Sequence, residues 1–480
     1  MPNPLVAPFS APACPVGDFI AVYFYPKNTL KISQTGWVPC SGILSNNIFI
    51  AGMRANTTYL MNYEVESGGA IIKTGPTALS FTTGTPTETF SLTQVLVPET
   101  TQADPSEKVV LHAYLTTFPF ATDFTGNVVW YYQQAADAGQ LMLLTRSLPG
   151  GDLFMTASGE GTSPTPTANQ LIRAIDLAGN TLRETNAGRV SEQLVAMGTD
   201  PINSFSHDVQ ILPNGDTMVI GATEKIFPAG TQGSTAPVDI LGDTIIILDS
   251  NWQVKWFWNS YDQLDINRPA VLGETCTNGQ GGCPPVLLAP IANDWLHGNS
   301  LDYIPSEGNL LYSSRHQDWL MKIDYNNGTG TKNVLWRMGV DGDFAINSND
   351  PYPWFSHQHN ASFENGGTTL ITVYDDGNTR VSPPPVGLGS GNSRGQELMV
   401  DQTNMIVTPV LNADLGVYSA ALGSAQLLPN GNHMFQAGTS STTLSQTIEV
   451  RPSGAQVYNM QATESYRAWL RPDMYHPPSN

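Results

Sequence analysis

Charge is scarce in this chain: Asp, Glu, Lys and Arg make up 13% of 480 residues. Positive charge is scarcer still, with 21 Lys and Arg against 41 Asp and Glu and a formal net charge of −20. No Lys/Arg run occurs. Phosphate backbones are held by clustered cations, so nucleic acid is not an expected partner. No apolar run reaches the length of a membrane span. Helical periodicity is nearly absent, and no Gly-x-x-x-x-Gly-Lys-Ser/Thr loop is present to cradle a nucleotide.

Cysteine is also rare, at four residues. Cys14 and Cys40 lie near the start, and Cys276 and Cys283 flank Thr-Asn-Gly-Gln-Gly-Gly. Two local pairs read as two disulfides, Cys14–Cys40 and Cys276–Cys283, in an oxidising compartment. Four free buried thiols are the bland alternative. A zinc site would want Cys-x-x-Cys spacing, which the close pair lacks. Residues 1–13 carry neither the charged nor the apolar region of a signal peptide. The expectation is a periplasmic or secreted protein whose presequence has been removed.

What is abundant is turn chemistry: 44 Gly and 35 Pro, with much Thr, Ser and Asn. A hydrophobic content of 40% leaves ample core for an all-β chain of this length. Ile20–Tyr25, Ile48–Ile50, Tyr59–Glu64 and Leu79–Thr82 read as short strands of a β-sandwich over residues 1–86. Met53-Arg-Ala-Asn-Thr-Thr-Tyr59 resembles the strand-to-strand corner of fibronectin type III domains. The Thr- and Pro-rich run over 85–104 then leads into a second domain, 87–480.

That second part repeats. An apolar residue, a Pro- or Asn-containing Gly turn and an apolar strand recur at Leu148-Pro-Gly-Gly-Asp, Leu212-Pro-Asn-Gly-Asp, Ile304-Pro-Ser-Glu-Gly-Asn, Phe363-Glu-Asn-Gly-Gly and Leu428-Pro-Asn-Gly-Asn. The turn glycines Gly151, Gly215, Gly308, Gly367 and Gly431 are 64, 93, 59 and 64 residues apart. The long interval holds the Cys276–Cys283 segment and reads as one insertion. A second hairpin, often Asp-led, recurs at Asp123, Asp176, Asp249, Asp324, Asp401 and Val450. Six copies predict a six-bladed β-propeller, in which radial repetition protects the sheet edges.

Histidines fall in a similar phase of this repeat. His207 and His359 each precede a turn glycine by eight residues, and His297 opens a comparable run stretched by three. Equivalent positions in a circular repeat converge on its axis, so these imidazoles are expected to meet. Next to them, Asn293-Asp-Trp-Leu-His-Gly-Asn-Ser-Leu-Asp-Tyr303, Leu311-Tyr-Ser-Ser-Arg-His-Gln317 and Val334-Leu-Trp-Arg-Met-Gly339 resemble the bacterial arylsulfate sulfotransferases. That family has a six-bladed propeller behind a small β-sandwich. It passes a sulfuryl group from an aryl sulfate to a phenol without a nucleotide donor.

The resemblance implies a nucleophile at His359 in Phe355-Ser-His-Gln-His-Asn-Ala361, axial partners His207 and His297, and a sulfate-binding Arg315. It also implies a contact from Asn299. His357, two residues before His359, shares its face if the segment is extended and is assigned to substrate binding. One departure is that the family's short-range disulfide lies between the arginine and nucleophile segments, whereas Cys276 and Cys283 precede His297. The close disulfide is therefore not expected to shape the site in the family's way.

Imidazole suits the chemistry on its own terms, being nucleophilic near neutral pH and able to leave again. The expected partners are an aryl sulfate donor and a phenolic acceptor, with no cofactor and no metal, and a homodimer is possible in principle. Water as acceptor, or a non-catalytic propeller for binding or adhesion, are the alternatives. His316, next to Arg315 on an expected strand, should face away and be structural. Asp375-Asp-Gly-Asn378 reads as a hairpin turn rather than a calcium loop. Tyr352, Trp354 and Tyr374 suit a core or an aromatic wall equally.

Overall fold

The computed structural model describes residues 3–29, 31–88, 90, 93–114, 118–133, 141–158, 167–278, 280–381, 391–441 and 443–478. Residues 89, 91 and 92 of the Thr- and Pro-rich run lie outside them. Strands dominate. No helix of the described residues is long and apolar enough to cross a membrane.

Each recurrent hairpin is the outer pair of a run of four antiparallel strands, and further short strands extend three of the six sheets. In chain order, the first sheet holds Val109–Tyr114, Phe120–Asp123 and Val128–Tyr131, and takes its remaining strand, Ser465–Arg471, from late in the sequence. Five more follow over 141–186, 202–259, 298–339, 359–414 and 423–463. The Gly turns join the first and second strands of these five. The first sheet has no such turn because those two strands are far apart in sequence, which is why the turn recurs five times and the hairpin six.

The first strands stand side by side in a ring: Leu141–Ser147, Ile202–Ile211, Gly298–Ile304, His359–Phe363, Gly423–Leu427 and Ser465–Arg471, which returns to Leu141–Ser147. Each gap between neighbouring sheets has its own apolar filling. Trp256, Trp258 and Tyr312 pack between the third and fourth sheets, and Trp336, Phe355 and Phe363 between the fourth and fifth. Burial on this scale is the main stabilising term.

The strands before Thr83 pair only with one another. Ala7–Ala11 joins Asn46–Ile50, and Phe19–Pro26 joins Thr58–Ser67. Cys14–Cys40 is a disulfide. This unit shares one core with the first two sheets, where Ile50 and Met53 pack with Val109, Met142 and Trp469. The chain between the third and fourth sheets carries Thr275–Thr277 and Ile291–Asp294, the latter running parallel to Val238–Leu248. It carries the second disulfide, Cys276–Cys283.

The ring is tied at its centre by Asp208, whose side chain is fully buried. Its carboxylate accepts from Arg146 Nη2 at 3.1 Å, Arg467 Nη1 at 3.2 Å and the Leu301 amide at 3.1 Å. Four of the six first strands thus meet at one carboxylate. Removing one partner of a buried ionic group leaves the others uncompensated, at a cost of roughly 3–5 kcal/mol. Asp208→Ala is expected to lower unfolding stability by about that amount, measured by denaturant titration. A loss near that of an exposed substitution would show that the knot carries little.

Candidate functional site

A cavity of about 510 Å³ opens at one end of the first strands. His207, His297, Arg315, His316, His359 and Tyr466 line it. Local irregularities aim these side chains. Pairing on Ile202–Ile211 skips between Ser206 and Val209, freeing His207 to face the cavity and Asp208 to face the ring centre. The same break occurs between Gly298 and Ser300, and between His359 and Ser362. Bulges of this kind re-aim side chains beside functional sites. His297 has φ +50°, and the Gly298 after it lies so close to Tyr312 that a Cβ would run into the ring.

His359 is 2% exposed, and its Nδ1 lies 2.9 Å from Asp376 Oδ2. Its Nε2 has no hydrogen bond to a described residue. Arg315 donates from Nη2 to the Ala420 carbonyl at 2.9 Å, and its Nη1 lies 2.6 Å from His316 Nε2. Its Nε has no hydrogen-bond partner and stands 3.8 Å from Asp376. His297 Nδ1 lies 2.7 Å from Asp294 Oδ2, and the ring centroids of His207 and His316 are each 4.6 Å from that of His297. His207 Nδ1 is bonded to the Ser206 hydroxyl.

Burial pushes the imidazoles of His207, His316 and His359 well below their ordinary range. The Arg315 guanidinium adds to this in each case. Burial also pushes the Asp376 carboxyl up, which Arg315 opposes. Neutral imidazoles around one fixed cation make a site for an anionic group.

Several expectations change here. Arg315–Gln317 is a single 3₁₀ turn, not strand, so His316 faces the cavity together with Arg315. Asn299 does not line the cavity. It is fully buried and donates to the Gln358 carbonyl at 2.7 Å, fixing the peptide before His359. His357 does not line it either. It has φ +52° rather than an extended backbone, so it does not share the face of His359. Its Nε2 is bonded to Glu274, and its Nδ1 lies 2.9 Å from Asp318.

The Cys276–Cys283 disulfide borders the cavity, because the insertion folds over it. Glu274, Gln280 and Cys283 to Pro285 form one wall. Asp375 and Asp376 turn inward instead of making a hairpin. Asp375 accepts from the Ser356 amide and Arg380, and Asp376 holds His359. Tyr374 is core, and Tyr352 and Trp354 are outside the lining.

Three residues of the site, Asp294, Asp376 and Tyr466, are not marked by the histidine phase. Asp294 sat within the Asn-Asp-Trp-Leu-His run, so a signal was there. Tyr466 lies on the late strand, outside every motif. Its ring is fully buried, and burial pushes its hydroxyl up to about 12.

A family model described as arylsulfotransferase matches residues 87–469. No curated protein matches the chain. Among solved structures it is similar to a hypothetical selenium-binding protein from Sulfolobus tokodaii (10% identity, 98% of each chain, TM-score 0.39). It is also similar to a periplasmic gluconolactonase from Pseudomonas aeruginosa (11% identity, 93% of this chain and 96% of that one, TM-score 0.34). A quinoprotein alcohol dehydrogenase-like protein from Bacteroides thetaiotaomicron gives 10% identity, 97% of each chain and TM-score 0.33. Likenesses at this level carry no argument.

Against the downward push of burial, Asp318 and Glu274 raise His357, and against the upward push of burial, His357 lowers Glu274. The raised group stabilises fully below its unfolded value and less as pH rises through its folded one. The lowered group stabilises above the ordinary glutamate range. The stability gap between the wild type and His357→Gln is therefore expected to be widest at about pH 5–6.5 and to narrow above that. Thermal unfolding across pH checks this; a gap that widens with pH would contradict it.

Proposed function

The chain belongs to the arylsulfotransferase family, and from that premise we propose that it moves a sulfuryl group from an aryl sulfate to a phenol through a sulfohistidine at His359. The observation that carries the reading is the convergence of His359, His207, His297 and Arg315 on one cavity, with Asp376 on His359 Nδ1. With the proton on Nδ1 facing Asp376, the lone pair is on Nε2. Nε2 attacks sulfur, the N–S bond forms as the S–O bond to the aryl group breaks, and phenolate leaves. The sulfated ring carries positive charge, which the Asp376 carboxylate faces. The oxygen of an acceptor phenol then attacks sulfur, the N–S bond breaks, and the phenol's proton passes to solvent or to the departed phenolate.

Sulfuryl transfer parallels phosphoryl transfer: charge spreads over three oxygens, and catalysis is mostly placement and electrostatics. Arg315, with Nε unbonded, grips those oxygens, and His207 and His297 face the remaining ones. Asn299 acts through the Gln358–His359 peptide as a positioning residue. A phenolate is a fair leaving group and needs little acid help. Leu143, Phe205 and Leu422 line the same cavity and suit an aryl ring better than bulk water.

The ring closure by the late strand supports reading residues 87–480 as a six-bladed β-propeller. The self-contained pairing before Thr83 supports a β-sandwich over 1–86. Two disulfides suit a periplasmic or secreted setting.

The test is intact mass after brief mixing with 4-nitrophenyl sulfate and no acceptor, then peptide mapping under non-acidic conditions. One sulfuryl adduct on the peptide holding His359, discharged by phenol and abolished by His359→Ala, is the expected result. Fragmentation placing the group on His357, or no adduct and no nitrophenol release, would sink the reading. Arg315→Lys is expected to lower kcat on the order of 100- to 1,000-fold.

A further inference from the structure

Among the described residues, four sets of three ligating side chains lie close enough to share an ion. Three do not suit one. Cys276 and Cys283 are spent on a disulfide. The two sets built on His316 sit beside Arg315, whose Nη1 is 2.6 Å from His316 Nε2, so a second cation there is repelled.

The fourth set is Glu364, Glu397 and His433. Glu364 follows the strand His359–Phe363, Glu397 lies on Arg394–Asp401, and His433 opens His433–Ser441 of the next sheet. Their ligating atoms all lie within 4.8 Å of one another. His433 Nε2 is 3.3 Å from Glu364 and 3.9 Å from Glu397. The side chains are 1%, 4% and 15% exposed for His433, Glu364 and Glu397. Thr372, opposite Glu397 in the sheet, donates its hydroxyl to Glu364.

Among the described residues the only ion-pair partner of either carboxylate is His433. Two carboxyls packed against one imidazole must either share a proton or bind a cation, because like charges held together away from water are costly. A divalent ion over two carboxylates and a neutral imidazole is electrically neutral. Access exists as well. Glu364 and Thr372 line a second cavity of about 720 Å³, at the turn end of the first strands and away from His359.

We propose that Glu364, Glu397 and His433 form a divalent-cation site, separate from the sulfuryl-transfer cavity, that links the fifth and sixth sheets. One nitrogen and two carboxylate ligands, with water completing the shell, fit Zn²⁺ best among common ions. The ion takes no part in the transfer. Its role is to clamp two neighbouring sheets.

The test is Zn²⁺ alone, titrated into the full-length chelator-treated protein by calorimetry, with thermal unfolding in parallel. The expected result is one saturable site that raises the unfolding midpoint. Glu397→Gln, at the most exposed ligand, weakens it by about tenfold or more, and His433→Asn does the same. His297→Asn, which alters the other cavity, leaves it unchanged. No saturable site in the wild type, or equal affinity in wild type and Glu397→Gln, overturns the proposal. Should His433→Asn fail to fold, Glu397→Gln decides alone, its metal-free midpoint being the control for folding.

Discussion

The buried carboxylate of Asp208 is the constraint from which the rest of the ring takes its register. Six sheets packed through apolar fillings can slide or tilt with little change in buried area, because apolar packing is not directional. A carboxylate shared by two guanidinium groups and an amide is directional. It fixes Ile202–Ile211 against Leu141–Ser147, Gly298–Ile304 and Ser465–Arg471. Arg467 also donates to the Asn299 carbonyl, and Asn299 in turn holds the peptide before His359. The knot and the His359 segment are therefore two hydrogen bonds apart.

The same arrangement sets the electrostatics. Burial first and the Arg315 charge second push the His359 imidazole well below its ordinary range. The chain is strongly acidic in sum, yet the cavity gathers imidazoles and an arginine. Local charge overrides the net charge because the low dielectric of the interior strengthens short-range terms over distant surface ones. A strongly acidic chain can thus still present a locally cationic pocket.

Much of this was legible in the sequence where the signal was local. The Gly turns and the recurrent hairpins are written in turn residues whose backbone needs are short-range, and each corresponds to a hairpin in the structure. The phase of His207, His297 and His359 led to the cavity for the same reason. Orientation was less legible. His316 was assigned by strand alternation, but Arg315–Gln317 is a 3₁₀ turn, and alternation does not hold there. His357 was placed by the same alternation and turned away by its positive φ. Asp376 looked like turn chemistry because Asp-Asp-Gly-Asn is turn chemistry; only the packing of neighbouring sheets shows that the carboxylate points inward. Tyr466 lacked any local mark.

Ring closure by Ser465–Arg471 has a consequence in time as well as in space. The strand that supplies Tyr466 and Arg467 pairs with Val109–Tyr114, more than three hundred residues earlier in the chain. Until that late strand is made, the first sheet lacks its inner edge, Asp208 lacks one guanidinium and the cavity lacks a wall. A nascent chain can build its middle sheets one by one, but it owns no complete pocket. Synthesis and pocket assembly are separated by topology alone, since the cavity is complete only when the last strand has docked.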